Sequence, residues 1–261
     1  TTDYVLLYLN DVQRRLNPEL MERYYDVAEP IHVTRVRGID YAWVYANTSY
    51  LPPMDYLAAH ANPATDVIVV SRPSLFDEHY NGEVPLYVLP NGNDQAAVYE
   101  VLNRAAQSAE RVWFVRYAEE LDRRRLDWLD FEWKTHAHLL LQEEFTDITV
   151  SLWQVEGGAA FAPASGERRE MGIRFGDTLE LVACTLNEPA AQWGRSVGVH
   201  AEWRALKQPD GYYSLALFVV DQYGRLWGQG DRWIVDQIML PTAFWEDGAS
   251  VTDRATLELA A

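Results

Sequence analysis

Only a few groups of side chains in this sequence have a spacing that chemistry could use. Ser71-Arg-Pro-Ser74 follows the apolar run Val67–Val70 and so stands at the carboxyl end of a strand, where α/β folds place ligands. Arg72 could there grip a phosphate or carboxylate, or it could be a solvated loop arginine. Asn91-Gly-Asn-Asp94 lies between a strand and a helix, where backbone N–H groups can meet a phosphate. A turn followed by Asn93 or Asp94 as N-cap explains the same residues more simply. Neither G-x-G-x-x-G nor G-x-x-x-x-G-K-[ST] occurs.

The back half is rich in rings: Trp193, Trp203, Tyr212, Tyr213, Trp227, Trp233, Phe244 and Trp245. Sugars present apolar faces that stack on aromatic side chains. Trp227, Trp233 and Trp245 lie near turns, where they can line a rim, whereas Trp203 and Phe218 sit within alternating strands and read as core. Large rings also seal the ends of β-sheets, which is their more frequent use. Asp221 and Asp231 stand beside Gly224 and Gly230. They suit either a calcium ion or the Asx-type caps common in hairpin turns.

Acid–base and nucleophilic groupings are weaker. His136 and His138 are two apart, which on a helix sends them in divergent directions. Asp127, Asp130 and Glu132 read as a solvated charged face of a helix, and Glu143 and Glu144 as ordinary surface residues. Cys184, in Leu179–Leu186, reads as a buried strand thiol with no group nearby to stabilise a thiolate. No catalytic residue, metal ligand set or cofactor is assigned.

The elements that must position these residues are of two kinds. To about residue 155, strand-like and helix-like segments alternate: Tyr4–Leu9; a helix begun by Asn17 and Pro18; a hairpin of Ile31–Val36 and Ile39–Tyr45 about Gly38; a connection over Asn47–Pro63; then Asp66–Val70, Pro73–Tyr80, Val84–Leu89, Asn93–Ser108, Arg111–Val115, a helix over Arg124–Glu144 and Ile148–Val155. Such alternation predicts a mainly parallel sheet with helices on both faces. In that sheet the apolar run Tyr4–Leu9 is a strand with both faces covered. Gly157, Gly158, Ala159, Pro163 and Gly166 mark a linker. Asp177–Thr185, Ser196–Leu206, Tyr212–Val220, Leu226–Gln229 and Val251–Leu259 then read as strands of an antiparallel β-sandwich. The expected organisation is an α/β (Rossmann-like) domain over 1–156, a linker over 157–172 and a β-sandwich domain over 173–261. The chain begins and ends in strands, which predicts a piece of a longer polypeptide with its sandwich truncated at the C-terminus.

Composition narrows the partners. A net charge of −17 without a basic stripe excludes nucleic acid and disfavours direct attraction to anionic lipid. No apolar run reaches the ~18 residues of a membrane span. Ten Trp and fifteen Tyr point to cores dominated by aromatic packing.

Several segments carry a resemblance. Asp3–Arg14 followed by Gly38–Tyr45 resembles the region after the last membrane helix of bacterial GT-C-type glycosyltransferases, relatives of the dolichyl-phosphate-mannose–protein mannosyltransferases. Val67–Pro73, Val84–Pro90 and Arg111–Val115 are similar to the soluble α/β part of those proteins. Arg174–Leu181, Ala201–Leu206, Phe218–Arg225 and Leu240–Trp245 are similar to the β-sandwich that follows it. Related sandwiches continue into a Pro-Pro-Gly turn and a further strand that this chain lacks. The family's catalytic acid lies in a loop between early membrane helices, and no position here matches it. The resemblance implies a non-catalytic extracytoplasmic accessory region, periplasmic or at the cell surface. It would be tethered through a membrane-embedded part of the same polypeptide and would position a glycan or protein acceptor of a polyprenyl-phosphate-sugar-dependent enzyme. An independent carbohydrate-binding module and an α/β enzyme with its own pocket are the alternatives. The expected ligand-contacting residues are Arg72, Asn93, Asp94, Trp227, Trp233 and Trp245.

Overall fold

The computed structural model describes residues 4–92, 94–117, 123–145, 148–155, 161–187, 196–235 and 240–259; of Glu19, Arg123 and Arg124 it describes the backbone alone. Among these residues the strands form four sheets, most pairings are antiparallel, and the class is mixed α/β.

The first sheet is small. β1 (Tyr4–Tyr8), α1 (Leu9–Arg14) and the short α2 (Pro18–Leu20), which runs into a π-helical turn at Met21–Tyr25, precede β2 (His32–Val36) and β3 (Ile39–Ala46). The Asn17 side chain accepts from the Leu20 N–H at 3.2 Å, and Pro18 takes the first helical position, as those residue types predict. Arg37 and Gly38 both have positive φ (53° and 81°), the pair that a primed hairpin turn requires. β1 and β2 flank β3, both antiparallel to it. The expectation of a covered strand in a parallel sheet is therefore corrected. β1 is an edge strand that turns Val5 and Leu7 inward and Tyr4, Leu6 and Tyr8 outward. Because tyrosine tolerates water through its hydroxyl, the run hides a period of two.

The second sheet is larger. α3 (Leu51–His60) occupies the stretch expected to be a connection, and Pro52 and Pro53 fill its first turn, where no N–H is needed. Then come β4 (Asp66–Val70), α4 (Leu75–His79), β5 (Leu86–Val88), α5 (Gln95–Ser108), β6 (Arg111–Tyr117), α6 (Arg123–His136), β7 (Ala137–Phe145) and β8 (Ile148–Val155). The strand order is β5-β4-β6-β8-β7. Parallel pairing is confined to β5–β4–β6, while β8 runs antiparallel to both β6 and β7. The helix expected to reach Glu144 stops at His136, so His138 is a strand residue. β7 and β8 stand two residues apart and pair as a hairpin, since a parallel crossover needs about a dozen residues.

Helices cover both faces of this sheet. Leu57 of α3 and Phe76 of α4 pack over Ile68, Val70, Trp113 and Val115. Leu102 of α5 and Trp128, Leu129 and Trp133 of α6 pack over Val67, Val69, Phe114 and Trp153. Asp66 is the buried polar anchor of the sheet. Burial opposes its charge, but bonds from Asn62, Thr65, Trp113 and Arg111 outweigh that and hold its carboxyl below the usual range.

The rest of the chain supplies β9 (Arg169–Phe175), β10 (Leu179–Leu186), β11 (Ser196–Ala205), β12 (Ser214–Val220), β13 (Leu226–Trp233) and β14 (Ser250–Glu258). Four strands form an antiparallel sheet in the order β14-β11-β10-β9, and β12 and β13 form a two-stranded one. β9 begins inside the stretch assigned to the linker. Its side chains are all exposed, so no alternation marks it. Residues 157–160 of that linker lie outside the described residues. Phe161, just beyond, is buried beside α5 and α6, and the Asn103 amide bonds both its N–H (2.7 Å) and its C=O (2.9 Å).

One face of the four-stranded sheet shares a core with the hairpin: Leu179, Ala201, Trp203 and Ala205 meet Ile234, Trp245, Leu215 and Tyr213. The other face meets α6. A Cβ on Gly198 would come 2.5 Å from Thr135 Cγ2 and 2.8 Å from Phe131 Cζ, and the His200 and Phe131 rings lie 4.9 Å apart. Helix α6 thus has a sheet on either side.

Candidate recognition surface

The β12–β13 hairpin is built by its turn and by its fit to β14. In the turn, Asp221 accepts from the N–H groups of Tyr223 (2.8 Å) and Arg225 (2.9 Å) and from Trp227 Nε1 (3.2 Å), while Gly224 takes a φ of 81°. These donors, the Arg225 N–H first, hold its carboxyl below the usual range, and Asp221 acts as an Asx-type cap. Along β13, Gly228 and Gly230 let the strand ride against β14: a Cβ on Gly228 would come 2.6 Å from the Glu258 carbonyl oxygen. A hairpin of two strands is marginal alone in water, so this seam and the inward Leu215 and Ile234 hold it in place.

The hairpin's other face points outward. Ser214 opposes Trp233, Ala216 opposes Asp231, Phe218 opposes Gln229, and Val220 opposes Leu226. Residues directly opposite share a face, so Trp233 (61% exposed), Phe218 (57%), Gln229 and Asp231 stand on one surface. Thr242 extends it. Its hydroxyl accepts from the Tyr213 N–H (2.9 Å) and donates to the Gly211 carbonyl (2.8 Å). That joins the strand entering β12 to the 3₁₀ turn Thr242–Phe244. Exposed Tyr212 thereby touches both Trp233 (centroids 6.1 Å, planes 76° apart) and exposed Phe244 (6.4 Å, 58°). The rings make an angled platform beside an amide and a carboxylate. Such a surface can stack the C–H face of a sugar and bond its hydroxyls.

Of the six residues expected to contact a ligand, only Trp233 belongs to this surface; Tyr212, Phe244 and Asp231, noted for their type alone, join it. Trp245 is corrected: it is 3% exposed, lies in the core shared by the two sheets, and donates to the Leu240 carbonyl (3.1 Å). Trp227 is half-buried in the turn, with the Arg225 guanidinium 4.3 Å above its ring. Trp193 lies outside the described residues. Phe218, expected in the core, is on the surface instead. Both faces of Ser214–Val220 are apolar, and alternation alone does not say which is covered.

The strand-end residues do not converge. Arg72 lies over the Tyr117 ring at 5.2 Å. Asp94 caps α5, accepting from the Ala97 N–H at 3.2 Å. Asn93 lies outside the described residues, and no hydrogen bond or ion pair among the described residues joins Arg72 to Asp94. Arg125, which the sequence did not single out, is buried. It donates to the carbonyls of Ser71 (2.9 Å) and Gly92 and so ties the two strand-end loops together.

Polar groups are also buried between the layers, Glu132 on α6 and Asp253 on β14. Of the expected solvated face of α6, Asp130 is exposed in part and paired with Arg116, whereas Glu132 is not solvated. Glu132 is 2% exposed, accepts from Tyr99 Oη (2.9 Å) and Trp128 Nε1 (2.8 Å), and lies 3.4 Å from His136 Nδ1. Burial pushes its carboxyl up to about 7, against the pull of those donors and of Arg254. Asp253, equally buried, is also pushed up to about 7 by burial, with the nearby Asp127 carboxyl adding to the shift and Arg232, at 3.1 Å, opposing it. His200 is pushed down to about 4 by burial and by Arg254. Glu132 is bonded between α5 and α6, His200 meets Phe131 of α6, and Asp253 faces Arg232 of β13, so the set reads as structural polar contacts between layers. Two signals in the sequence pointed to it. Phe131 stands on a different side of α6 from Leu129 and Trp133, the mark of a helix covered on more than one side. Asp253 also falls in phase with Val251, Ala255 and Leu257, the residues expected to face inward.

No protein-family model matches the chain, and neither a curated protein nor a solved structure matches it.

Proposed function

We propose that this chain is a non-catalytic recognition region that holds a glycan on the outer face of β12–β13. It would be the extracytoplasmic accessory part of a GT-C-type membrane glycosyltransferase, presenting an acceptor to a membrane-embedded catalytic part. In this reading the four-stranded sheet and the hairpin are the two layers of a β-sandwich, supported by the core that they share around Trp203 and Trp245. The α/β region before it serves as scaffold, which fits a strand end where Arg72 and Asp94 are engaged locally.

The observation that carries the glycan reading is the set of exposed rings, Tyr212, Phe218, Trp233 and Phe244, standing beside Gln229 and Asp231. A soluble surface seldom leaves so many large rings together in water unless they meet a partner. The glycosyltransferase setting rests on the resemblance of the segments quoted above. An independent carbohydrate-binding module is the second reading, favoured by the fact that the whole platform lies on the hairpin and the turn beside it.

A glycan-array and polyprenyl-phosphate-sugar screen, followed by tryptophan fluorescence, tests the proposal. Saturable binding lost on Trp233→Ala and weakened on Phe218→Ala is the expected result. Silence across the screen, or binding indifferent to both changes, overturns it. Deleting this region from a longer parent separates the two readings: unchanged acceptor choice leaves the independent module.

A further inference from the structure

The sheet β1–β3–β2 closes a small core on one face and leaves the other bare. Val5, Leu7, Val33, Trp43 and Tyr45 turn inward against Met21 and Tyr24. Tyr4, Leu6 and Tyr8 turn outward, each about half exposed, opposite Ala46, Val44 and Ala42 of β3. Because β1 and β3 are antiparallel, the Tyr8 end of β1 meets the end of β3 where the β2–β3 hairpin turns. There the Tyr8 and Tyr41 rings lie 6.2 Å apart. Val36 and Ile39 flank the Arg37–Gly38 turn with their side chains largely in water. Arg35 is paired with Asp40, while Arg37 makes no ion pair among the described residues. One end of the sheet is thus a narrow apex of two aliphatic residues, two tyrosines and an arginine.

The charge pattern says what such an apex can meet. Between Tyr4 and Ala46 five arginines stand against six acidic residues, whereas the remaining residues hold 17 basic against 33 acidic. An anionic lipid surface repels the acidic body and tolerates only the near-neutral end, so the field alone orients the apex toward it. The residue types fit a lipid interface: aliphatic side chains enter below headgroup level, tyrosines sit at the boundary, and arginine reaches the phosphates. A convex tip also suits a penetrable solvent better than the flat patch of about 800 Å² per side that a stable protein interface needs.

We propose that the apex formed by Tyr8, Val36, Arg37, Ile39 and Tyr41 docks on a lipid surface, with its aliphatic tip inserted among the headgroups. These residues lie on a different sheet from the glycan platform, so either proposal can fail without the other.

Cosedimentation of the full chain with vesicles at low ionic strength tests it. One vesicle set is phosphatidylcholine alone, and the other also contains phosphatidylglycerol. The wild type should bind both; on the second, repulsion of the acidic body opposes what Arg37 gains. Ile39→Asp should weaken binding to both by about tenfold or more, the worth of one buried aliphatic side chain. Arg37→Glu should weaken binding only where phosphatidylglycerol is present. Unchanged unfolding midpoints show that the variants fold, and Val36→Asp repeats the test should Ile39→Asp not. Three results overturn the proposal: no association of the wild type with either vesicle, association indifferent to Ile39→Asp and Val36→Asp, or lipid-free self-association abolished by Ile39→Asp, which would assign the apex to a second copy of the chain.

Discussion

The outer face of β12–β13 and the packed layers behind it reverse the usual placement of residue types. On the hairpin, Trp233, Phe218 and Tyr212 stand in water. Between the layers, the carboxyls of Glu132 and Asp253 are almost wholly buried. The difference lies in what covers each place. Nothing among the described residues packs over the hairpin's outer face, while α6 is enclosed by a sheet on each side. The Tyr99 hydroxyl and the Trp128 indole offset part of what burial costs Glu132, and the Arg232 guanidinium stands 3.1 Å from Asp253. On the hairpin, each exposed ring forgoes about 1.5–3 kcal/mol of burial with no compensation in the chain itself. The rings point outward to a partner, whereas the carboxyls are met in part within the chain and keep their protons for the rest.

Four changes break or sharpen this contrast. Trp133→Ala removes a ring buried against the five-stranded sheet and should cost about 3–5 kcal/mol in denaturant unfolding. A loss no greater than that of a surface substitution would mean that α6 is not the shared support described.

Next in size is a dependence on pH. Glu132 and Asp253 bind their protons more tightly when folded, at about 7, than at the ordinary 4.5 and 3.8. The stability they contribute is complete below those ordinary values. It declines as pH rises and is gone above about 7, by on the order of 3 kcal/mol for each fully shifted group. Glu132→Gln keeps acceptors for Tyr99 and Trp128 but carries no charge. It should flatten the Glu132 share of that decline and leave the variant more stable than the wild type at pH 8. Unfolding midpoints measured from pH 4 to 8 decide this, and parallel curves for the two proteins would refute it.

Gly228→Ala sets a methyl against the Glu258 carbonyl and should cost about 1–3 kcal/mol. Because the strain falls on the seam that seats the hairpin, glycan binding should weaken as well. Stability lost with binding intact would separate the platform from its seat. Smallest in stability is Trp233→Ala, within about 0.5 kcal/mol, because its ring stands in water. Thermal melts check that value, and a large loss would place Trp233 in the core rather than on a platform.

The sequence made much of the scaffold legible wherever a local rule fixes the backbone. Asn17 and Pro18 started a helix, Arg37–Gly38 turned a hairpin, and Asp66–Val70 read as a buried strand because all five of its residues are covered. What stayed hidden depended on the layer lying over each element. Phe218 and Leu217 alternate on a strand that is apolar on both sides, so nothing local says which of them meets water. Glu132 looked solvated because acidic residues on helices usually are, and the Tyr99 hydroxyl that meets it comes from α5, more than thirty residues earlier. Trp245 sits beside a turn in the chain yet beneath the hairpin in space. The α6-to-β7 boundary was lost for a similar reason. The strand's partner is β8, and only that pairing ends the helix at His136.

Helix α6 also bears on how the chain comes apart. Its fourteen residues are flanked by the five-stranded sheet through Trp128 and Trp133 and by the four-stranded sheet through Phe131 and Thr135. Neither sheet can melt while leaving the other's packing whole, because each loses the same helix. Two layers that could have been separate folding units are thereby made one cooperative unit, and a fault introduced under either sheet is felt by both.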